Sequence, residues 1–112
     1  FGHALELLSH YALSHGQGVS IGLVAAAQLS ARLGLCDPAL PLRVEGVLAR
    51  LNLPTSYRAS PPAQIWEAMA TDKKRRGDIL RFILLRDVGD VFVTDQVTKG
   101  DVLAVLETLK GA

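Results

Sequence analysis

Three histidines near the start of the chain are the side chains best suited to chemistry. His3 and His10 are seven residues apart, a spacing that stacks them on one face of a helix with Glu6 near them. His15 follows in a glycine-flanked turn beyond the expected helix end, where it should be accessible. Imidazole binds zinc and exchanges protons near neutral pH. Exposed histidines without a function fit the same spacing, and the sequence has no HExxH or CxxC pattern that would favour a metal.

Two further segments could bind an anion. Gly16-Gln17-Gly18 precedes a predicted helix, and the backbone N–H groups at a helix N-terminus attract phosphate. The same glycines are also typical of a simple turn. The segment Asp72-Lys73-Lys74-Arg75-Arg76 contains four consecutive cations, which could clamp a phosphate or carboxylate. A solvated run of charge, favoured by the dipole of the preceding helix, explains it equally well.

The elements that must position these residues are mainly helical. Apolar residues recur at helical spacing in five segments. The predicted helices run from Ala4 to Ser14, from Val19 to Leu33, from Asp37–Pro41 to about Leu51, from Pro62 to about Thr71, and from Thr98 to about Leu109. The second helix is apolar on nearly every face, so we expect it at the centre of the core, ending at Gly34. Thr98, with Asp101 three residues on, resembles a capping box.

One segment has a composition typical of β-structure. Ile79 to Leu85 and Val91 to Val93 are rich in β-branched and aromatic residues. Arg86 to Asp90, between them, has the composition of a turn, so the pattern predicts an antiparallel hairpin. The fold class expected is therefore mainly α with one small hairpin.

Composition limits the class of protein. The 112 residues suffice for one domain, and 49% hydrophobic residues with a mean hydropathy of +0.26 can build its core. A net charge of +1 argues against a nucleic-acid or anionic-membrane partner. The longest apolar run, Val19 to Leu29, is shorter than the roughly 20 residues of a spanning helix.

The single cysteine and the first residues also carry information. Cys36 excludes an internal disulfide, fits the reducing environment of the cytoplasm, and is expected to be a small buried hydrophobe. The start at Phe1 has no initiator Met and no signal-peptide pattern. We therefore expect the chain to begin within a longer protein.

Taken in order, these segments resemble one family, the 3-dehydroquinate synthases. FGHALE, from Phe1 to Glu6, resembles the end of that family's NFGHTxGHAxE motif, and HGQGVSIGL, from His15 to Leu23, resembles its HGEAVAIGM segment. Asn52-Leu53-Pro54 resembles the GLP after the third helix. DKK, LRFILL and VG, between Asp72 and Gly89, resemble the DKK…LRFVLL…IG stretch. The resemblance spans almost the whole chain.

The resemblance implies roles for individual residues. His15 would be a zinc ligand, and His3 would be a catalytic histidine that assists proton transfer or holds the substrate phosphate. Lys73 and Lys74 would include the lysine that contacts substrate, and which of the two does so stays open. His10 matches no functional position.

The resemblance also implies a reaction and cofactors. The family uses NAD and zinc, with cobalt as a substitute, to convert 3-deoxy-D-arabino-heptulosonate 7-phosphate into 3-dehydroquinate with loss of phosphate. Residues 1–112 would be part of the C-terminal helical domain, which binds zinc and substrate. The NAD-binding domain would lie upstream, and the intact enzyme would be a homodimer.

Two departures restrict what can be carried over. Gln17 and Gly18 stand where the family usually has Glu and Ala, and the other zinc ligands, a Glu and a His, would lie before Phe1. We therefore expect this chain alone to be inactive and to expose an apolar surface where the missing part packs. Two alternatives stay open: a sister sugar-phosphate cyclase that makes 2-deoxy-scyllo-inosose or 2-epi-5-epi-valiolone, and a non-catalytic helical interaction domain.

Overall fold

The chain folds into five helices and one hairpin over the residues that can be described. A computed structural model describes residues 1–9, 12–58, 60–75, 77 and 79–110, except for the side chains of residues 74 and 75. The described elements, in chain order, are α1 (Gly2–Leu8), α2 (His15–Arg32), α3 (Leu40–Arg50), α4 (Pro62–Arg75), β1 (Phe82–Asp87), β2 (Asp90–Thr94) and α5 (Lys99–Leu109). The mainly helical class and the single hairpin are as predicted.

Helix α2 is the centre of the core, as its composition predicts. It packs against α1, α3, β1 and α5, while α4 packs against α1 and α5. The largest fully buried apolar side chains come from four different elements: Ile21, Val24, Leu29, Ile65, Leu84, Val102 and Leu106. Two buried serines of α2 bind its neighbours: Ser20 donates to the Pro54 carbonyl, and Ser30 accepts from the Leu85 N–H. No helix within the described ranges is long and apolar enough to cross a bilayer.

The start of α2 differs from the prediction, and its end agrees. The helix begins at His15, because Ser14 and Gln17 form a capping box that includes Gly16 in the first turn. The glycine-containing segment is therefore helix and not a turn. At the other end Gly34 has φ of +73°. Its N–H donates to the Ala31 carbonyl and the Leu35 N–H donates to the Ser30 carbonyl, which together form a Schellman motif.

Helices α1 and α4 also have ends that differ from the prediction. α1 ends at Leu8 and not at Ser14. Just after this end, the Ser9 hydroxyl donates to the backbone carbonyl of Glu6 and accepts the Leu13 N–H. His10 lies outside the described residues, so its predicted stacking on His3 is not tested. α4 continues through Arg75, because no helix-breaking residue occurs before Gly77. Residues 72–75 of the basic segment thus form the last turn of α4 instead of following it, and Arg76 lies outside the described residues.

The hairpin is shifted slightly from its predicted bounds and is apolar on both faces. A two-residue turn at Val88-Gly89 joins the strands, with Gly89 at φ of +78°. One face turns Phe82 and Leu84 into the core. The other face pairs Ile83 with Val93 and Leu85 with Val91. Since the exposed face of an antiparallel sheet is normally polar, this second apolar face needs an explanation.

Two local expectations have opposite outcomes. The Thr98 cap is confirmed: its hydroxyl oxygen accepts the Asp101 N–H, and its O–H donates to the Asp101 carboxylate. These hydrogen bonds and the nearby Arg32 guanidinium lower the pKa of Asp101. The expectation for Cys36 was wrong, because it is only half-buried, in the turn that follows α2.

The Tyr57 side chain joins the loop before α4 to α5 by a hydrogen bond, and we expect removal of this bond to lower the stability of the fold. Its side chain is 4% exposed, and its hydroxyl donates to the Leu106 carbonyl at 2.9 Å. Tyr57→Phe should lower the free energy of unfolding by about 1 kcal/mol at neutral pH, the net value of one such hydrogen bond. Urea unfolding checks this, and an unchanged midpoint would contradict it.

Tyr57 should also make the free energy of unfolding depend on pH. Burial and, secondarily, the charge of Glu107 raise the pKa of Tyr57 to about 12. A raised folded-state pKa means that the neutral phenol stabilises the fold fully below the ordinary value of about 10 and that this contribution is lost as the pH rises toward 12. The wild-type protein should therefore lose stability more steeply than Tyr57→Phe between these two pH values. Parallel slopes would contradict the prediction.

Candidate functional site

A close crossing of α1 and α2 builds the site. Glycine occurs at the contact in both helices, at Gly2 and Gly18. A Cβ added to Gly2 would lie 2.7 Å from the Gly18 carbonyl oxygen, and one added to Gly18 would lie 3.0 Å from the Gly2 carbonyl oxygen. Only residues without a side chain allow the two backbones to approach this closely. The crossing places the second turn of α1 beside the first residue of α2.

A buried carboxylate from α1 faces two histidines at this crossing. The Glu6 side chain is 8% exposed, and its Oε1 atom lies 3.1 Å from Nδ1 of His15, a hydrogen-bond distance. Its Oε2 atom lies 3.7 Å from Nδ1 of His3, an electrostatic contact longer than a hydrogen bond. An unpaired carboxylate in such a position would be costly, so these imidazoles are the partners that make its burial tolerable.

The two histidines remain accessible on their other side. The side chain of His15 is 85% exposed and that of His3 is 60% exposed, as their positions at the start of the two helices allow. Both approach Glu6 through Nδ1, which leaves Nε2 of each ring directed away from that contact. The structure thus brings His3 and His15 together around one carboxylate.

A cavity beside α1 brings His3 and Lys73 together. Its volume is about 440 Å³, and it lies between α1, α2, the end of α4 and the hairpin. Its polar lining is provided by His3, Asp72, Lys73 and Arg81, within an otherwise apolar wall. The side chain of Lys74 lies outside the described residues. His15 contributes no atoms to this lining and is connected to His3 through Glu6.

The apolar wall of the cavity continues onto the surface. Leu7, Val19 and Leu23 from the helices and Ile83 and Val91 from the hairpin line the cavity, yet each is exposed. Ile83 reaches 63% exposure. We call these five residues the apolar surface. Adjoining exposed apolar side chains are typical of protein contacts, membrane contacts or ligand-binding grooves.

The described residues fit a zinc site only in part. A zinc-binding histidine normally donates its second ring N–H to a carboxylate or carbonyl, and the His15–Glu6 contact has this form. Within the described part of the chain, no three His, Cys, Asp or Glu side chains are arranged to hold a metal ion. A catalytic zinc takes about three protein ligands, so His15 could provide one of them. Nor do the described elements include a β–glycine-rich–α unit that would fit NAD.

Glu6 is the residue of this site to which the sequence alone gave no role. It was expected near His3 and His10, because residues three or four apart share a helix face. Its hydrogen bond to His15 crosses between two helices, and no spacing rule within a single helix indicates it. The one available signal in the sequence is the presence of Gly2 and Gly18. Two glycines permit a close helix crossing but do not indicate which side chains meet there.

Fold and site together define a small, mainly helical domain that presents a histidine–carboxylate cluster beside a lysine-containing cavity. Residues 1–75 match the family model described as 3-dehydroquinate synthase C-terminal. The chain belongs to this family.

Individual relatives agree with this assignment. The chain is 46% identical to a 3-dehydroquinate synthase from Dehalococcoides mccartyi over 97% of its length, and 46% identical to one from Rhizobium meliloti over 95%. A solved structure of 2-epi-5-epi-valiolone synthase from Streptomyces hygroscopicus, with NAD⁺ and Zn²⁺ bound, superposes with a TM-score of 0.84 at 30% identity over 97% of the chain. The chain spans only about 30% of each synthase and 31% of that cyclase.

Proposed function

We propose that this chain is the C-terminal part of a 3-dehydroquinate synthase, which converts 3-deoxy-D-arabino-heptulosonate 7-phosphate to 3-dehydroquinate with elimination of phosphate. The observation that carries the proposal is the combination of family membership with the cluster of His3, Glu6 and His15. The intact enzyme would be an NAD- and zinc-dependent lyase and a homodimer. Its cytoplasmic location stays a prediction from the single cysteine.

Each site residue has a chemical task in this proposal. His15 provides one nitrogen ligand to zinc, which when bound acts as a Lewis acid on the substrate hydroxyl that is oxidised. His3, accessible and in the same cavity as Lys73, transfers a proton or holds the phosphate. Lys73 pairs its ammonium group with the phosphate or carboxylate of the substrate. Lys73 lines the cavity, and the choice between Lys73 and Lys74 stays open, because the side chain of Lys74 lies outside the described residues.

The remaining part of the enzyme would supply what this chain lacks. Two further zinc ligands and the whole NAD site would come from the roughly 70% of the relatives' length that this chain does not span. We propose that this part packs on the apolar surface. The support is that Ile83 and Val91 make the hairpin apolar on a face that is exposed here, next to the cavity that holds His3 and Lys73.

A substitution on the apolar surface tests this packing. Ile83→Ser in the full-length protein should lower the free energy of unfolding by roughly 1–2 kcal/mol, because docking would bury a side chain that is 63% exposed in this chain. Urea unfolding of the full-length protein measures it. Surface substitutions usually stay within about 0.5 kcal/mol, so a loss no larger than that would contradict the packing.

Phosphate release from three substrates tests the reaction. The full-length protein, with NAD and zinc, should release phosphate from 3-deoxy-D-arabino-heptulosonate 7-phosphate and not from sedoheptulose 7-phosphate or glucose 6-phosphate. Turnover of either of the latter instead would assign the protein to the sister cyclases. The difference between 46% identity to the synthases and 30% to the valiolone synthase favours the first outcome. No release from any of the three would leave the interaction-domain alternative.

A further inference from the structure

We propose that Glu6 is a positioning residue that fixes His15 in the ring state and orientation that a metal ligand needs. The inference rests on the proposed function, since it concerns how His15 would serve zinc. It goes beyond the proposed function by assigning a role to Glu6, which has no task there.

The first step is the direction of the hydrogen bond. An ionised carboxylate only accepts hydrogen bonds, so the 3.1 Å contact requires the hydrogen on Nδ1 of His15. A neutral imidazole with hydrogen on Nδ1 carries its lone pair on Nε2. Glu6 therefore selects the tautomer in which Nε2 is the free donor atom. Without this partner, both tautomers of an 85% exposed side chain would be populated.

The second step is that Glu6 is itself held in place. It lies in the middle of α1 and is buried, whereas the ring that it binds is exposed. A Cβ on Gly18 would lie 3.1 Å from its Cγ, so the side chain packs directly on the α2 backbone. An exposed histidine on the first residue of a helix gains a fixed orientation from such an anchor. Carboxylate partners of this kind typically change metal affinity or activity by about 10–100-fold when removed.

The third step separates this role from a purely structural one. If the buried carboxylate served only to join α1 to α2, its loss would affect folding alone. Glu6→Gln keeps the size of the side chain but removes the charge. Its amide can accept from Nδ1–H or donate to a bare Nδ1, so it no longer selects one tautomer of His15. If Glu6 positions His15, this variant should remain folded and bind zinc more weakly.

The experiment is zinc competition against a chelating dye with the full-length protein. We expect Glu6→Gln to raise the zinc dissociation constant about 10–100-fold, with the melting temperature of the zinc-free protein close to wild type. Glu107→Gln, an exposed α5 residue away from the cavity, is the matched control and should leave zinc affinity unchanged. A folded Glu6→Gln variant with zinc affinity within twofold of wild type would overturn the proposal.

His15→Ala in the same assay distinguishes a failure of the role of Glu6 from a failure of the proposed zinc site. If it abolishes zinc binding while Glu6→Gln does not change it, the proposed function stands and the role of Glu6 is wrong. If His15→Ala leaves zinc affinity unchanged, His15 is no ligand and the proposed function loses its metal site.

A second measurement needs no variant and covers the case in which Glu6→Gln fails to fold. Long-range ¹H–¹⁵N spectra of the zinc-free protein, labelled at histidine, report the tautomer of each neutral ring. We expect His15 with its hydrogen on Nδ1. A signal for the Nε2–H tautomer in the folded protein would overturn the proposal.

Discussion

His15→Ala in the full-length protein should lose bound zinc and lower kcat/KM by more than about 100-fold, while the protein remains folded. Loss of a carboxylate behind a ligand already costs up to about 100-fold, so loss of the ligand itself should cost more. The ring is 85% exposed, so its removal leaves no cavity and lets water reach Glu6. We therefore expect a loss of stability of only about 1 kcal/mol, the net value of the hydrogen bond to Glu6. Metal analysis of the purified protein, phosphate release and thermal unfolding of the zinc-free form together measure the three parts of this prediction.

His10→Ala is the matched histidine substitution. His10 lies in the same part of the sequence but corresponds to no functional position of the family, so zinc content and phosphate release should stay at wild-type values. A His15→Ala variant that keeps stoichiometric zinc, or a His10→Ala variant that loses it, would show that the ligand has been assigned to the wrong residue.

Gly2→Ala should have the largest effect on stability. The added Cβ would lie 2.7 Å from the carbonyl oxygen and 2.9 Å from the carbonyl carbon of Gly18. Both are backbone atoms of α2, so one helix must move. Overpacking of this kind costs about 1–3 kcal/mol, which is a large part of the stability of a small domain. Since the movement would separate Glu6 from His15, zinc affinity should fall as well.

Gly16→Ala is the control for this substitution. Gly16 lies in the first turn of α2, and a Cβ there would meet nothing within 4 Å. Alanine is favoured over glycine in helices by up to about 1 kcal/mol, so this variant should be as stable as wild type or more stable. Urea unfolding of the two variants measures the difference, and equal losses in both would mean that the α1–α2 crossing is not the cause.

The elements of this fold that follow from local rules could be predicted from the sequence. The Thr98 cap, the positive φ of Gly34 and the hairpin depend on residues within a few positions of each other. The start of α2 was mispredicted because Gly16 and Gly18 were interpreted as a break, whereas Ser14 and Gln17 cap a helix that contains both glycines. Glycine in a helix is tolerated when another backbone must come close, and that partner, Gly2, is distant in the sequence.

The site was predicted as far as residue types and the resemblance allow. His3 and Lys73 line one cavity, and His3 and His15 face one carboxylate. Their assigned roles stay proposals. The function of Glu6 could not be derived, because its contact with His15 arises from the tertiary crossing of α1 and α2. The apolar surface was expected from the resemblance, but its location depends on how the hairpin packs beside α1 and α2.

The most direct test of the central claim is the zinc dependence of 3-dehydroquinate formation by the full-length protein. The substrate would be 3-deoxy-D-arabino-heptulosonate 7-phosphate with NAD present, and the product would be identified by NMR. We predict that 3-dehydroquinate forms, that removal of metal with a chelator stops its formation, and that added zinc restores it. Formation that continues at the same rate in the metal-free protein, or no 3-dehydroquinate from the zinc-loaded protein, would contradict the account.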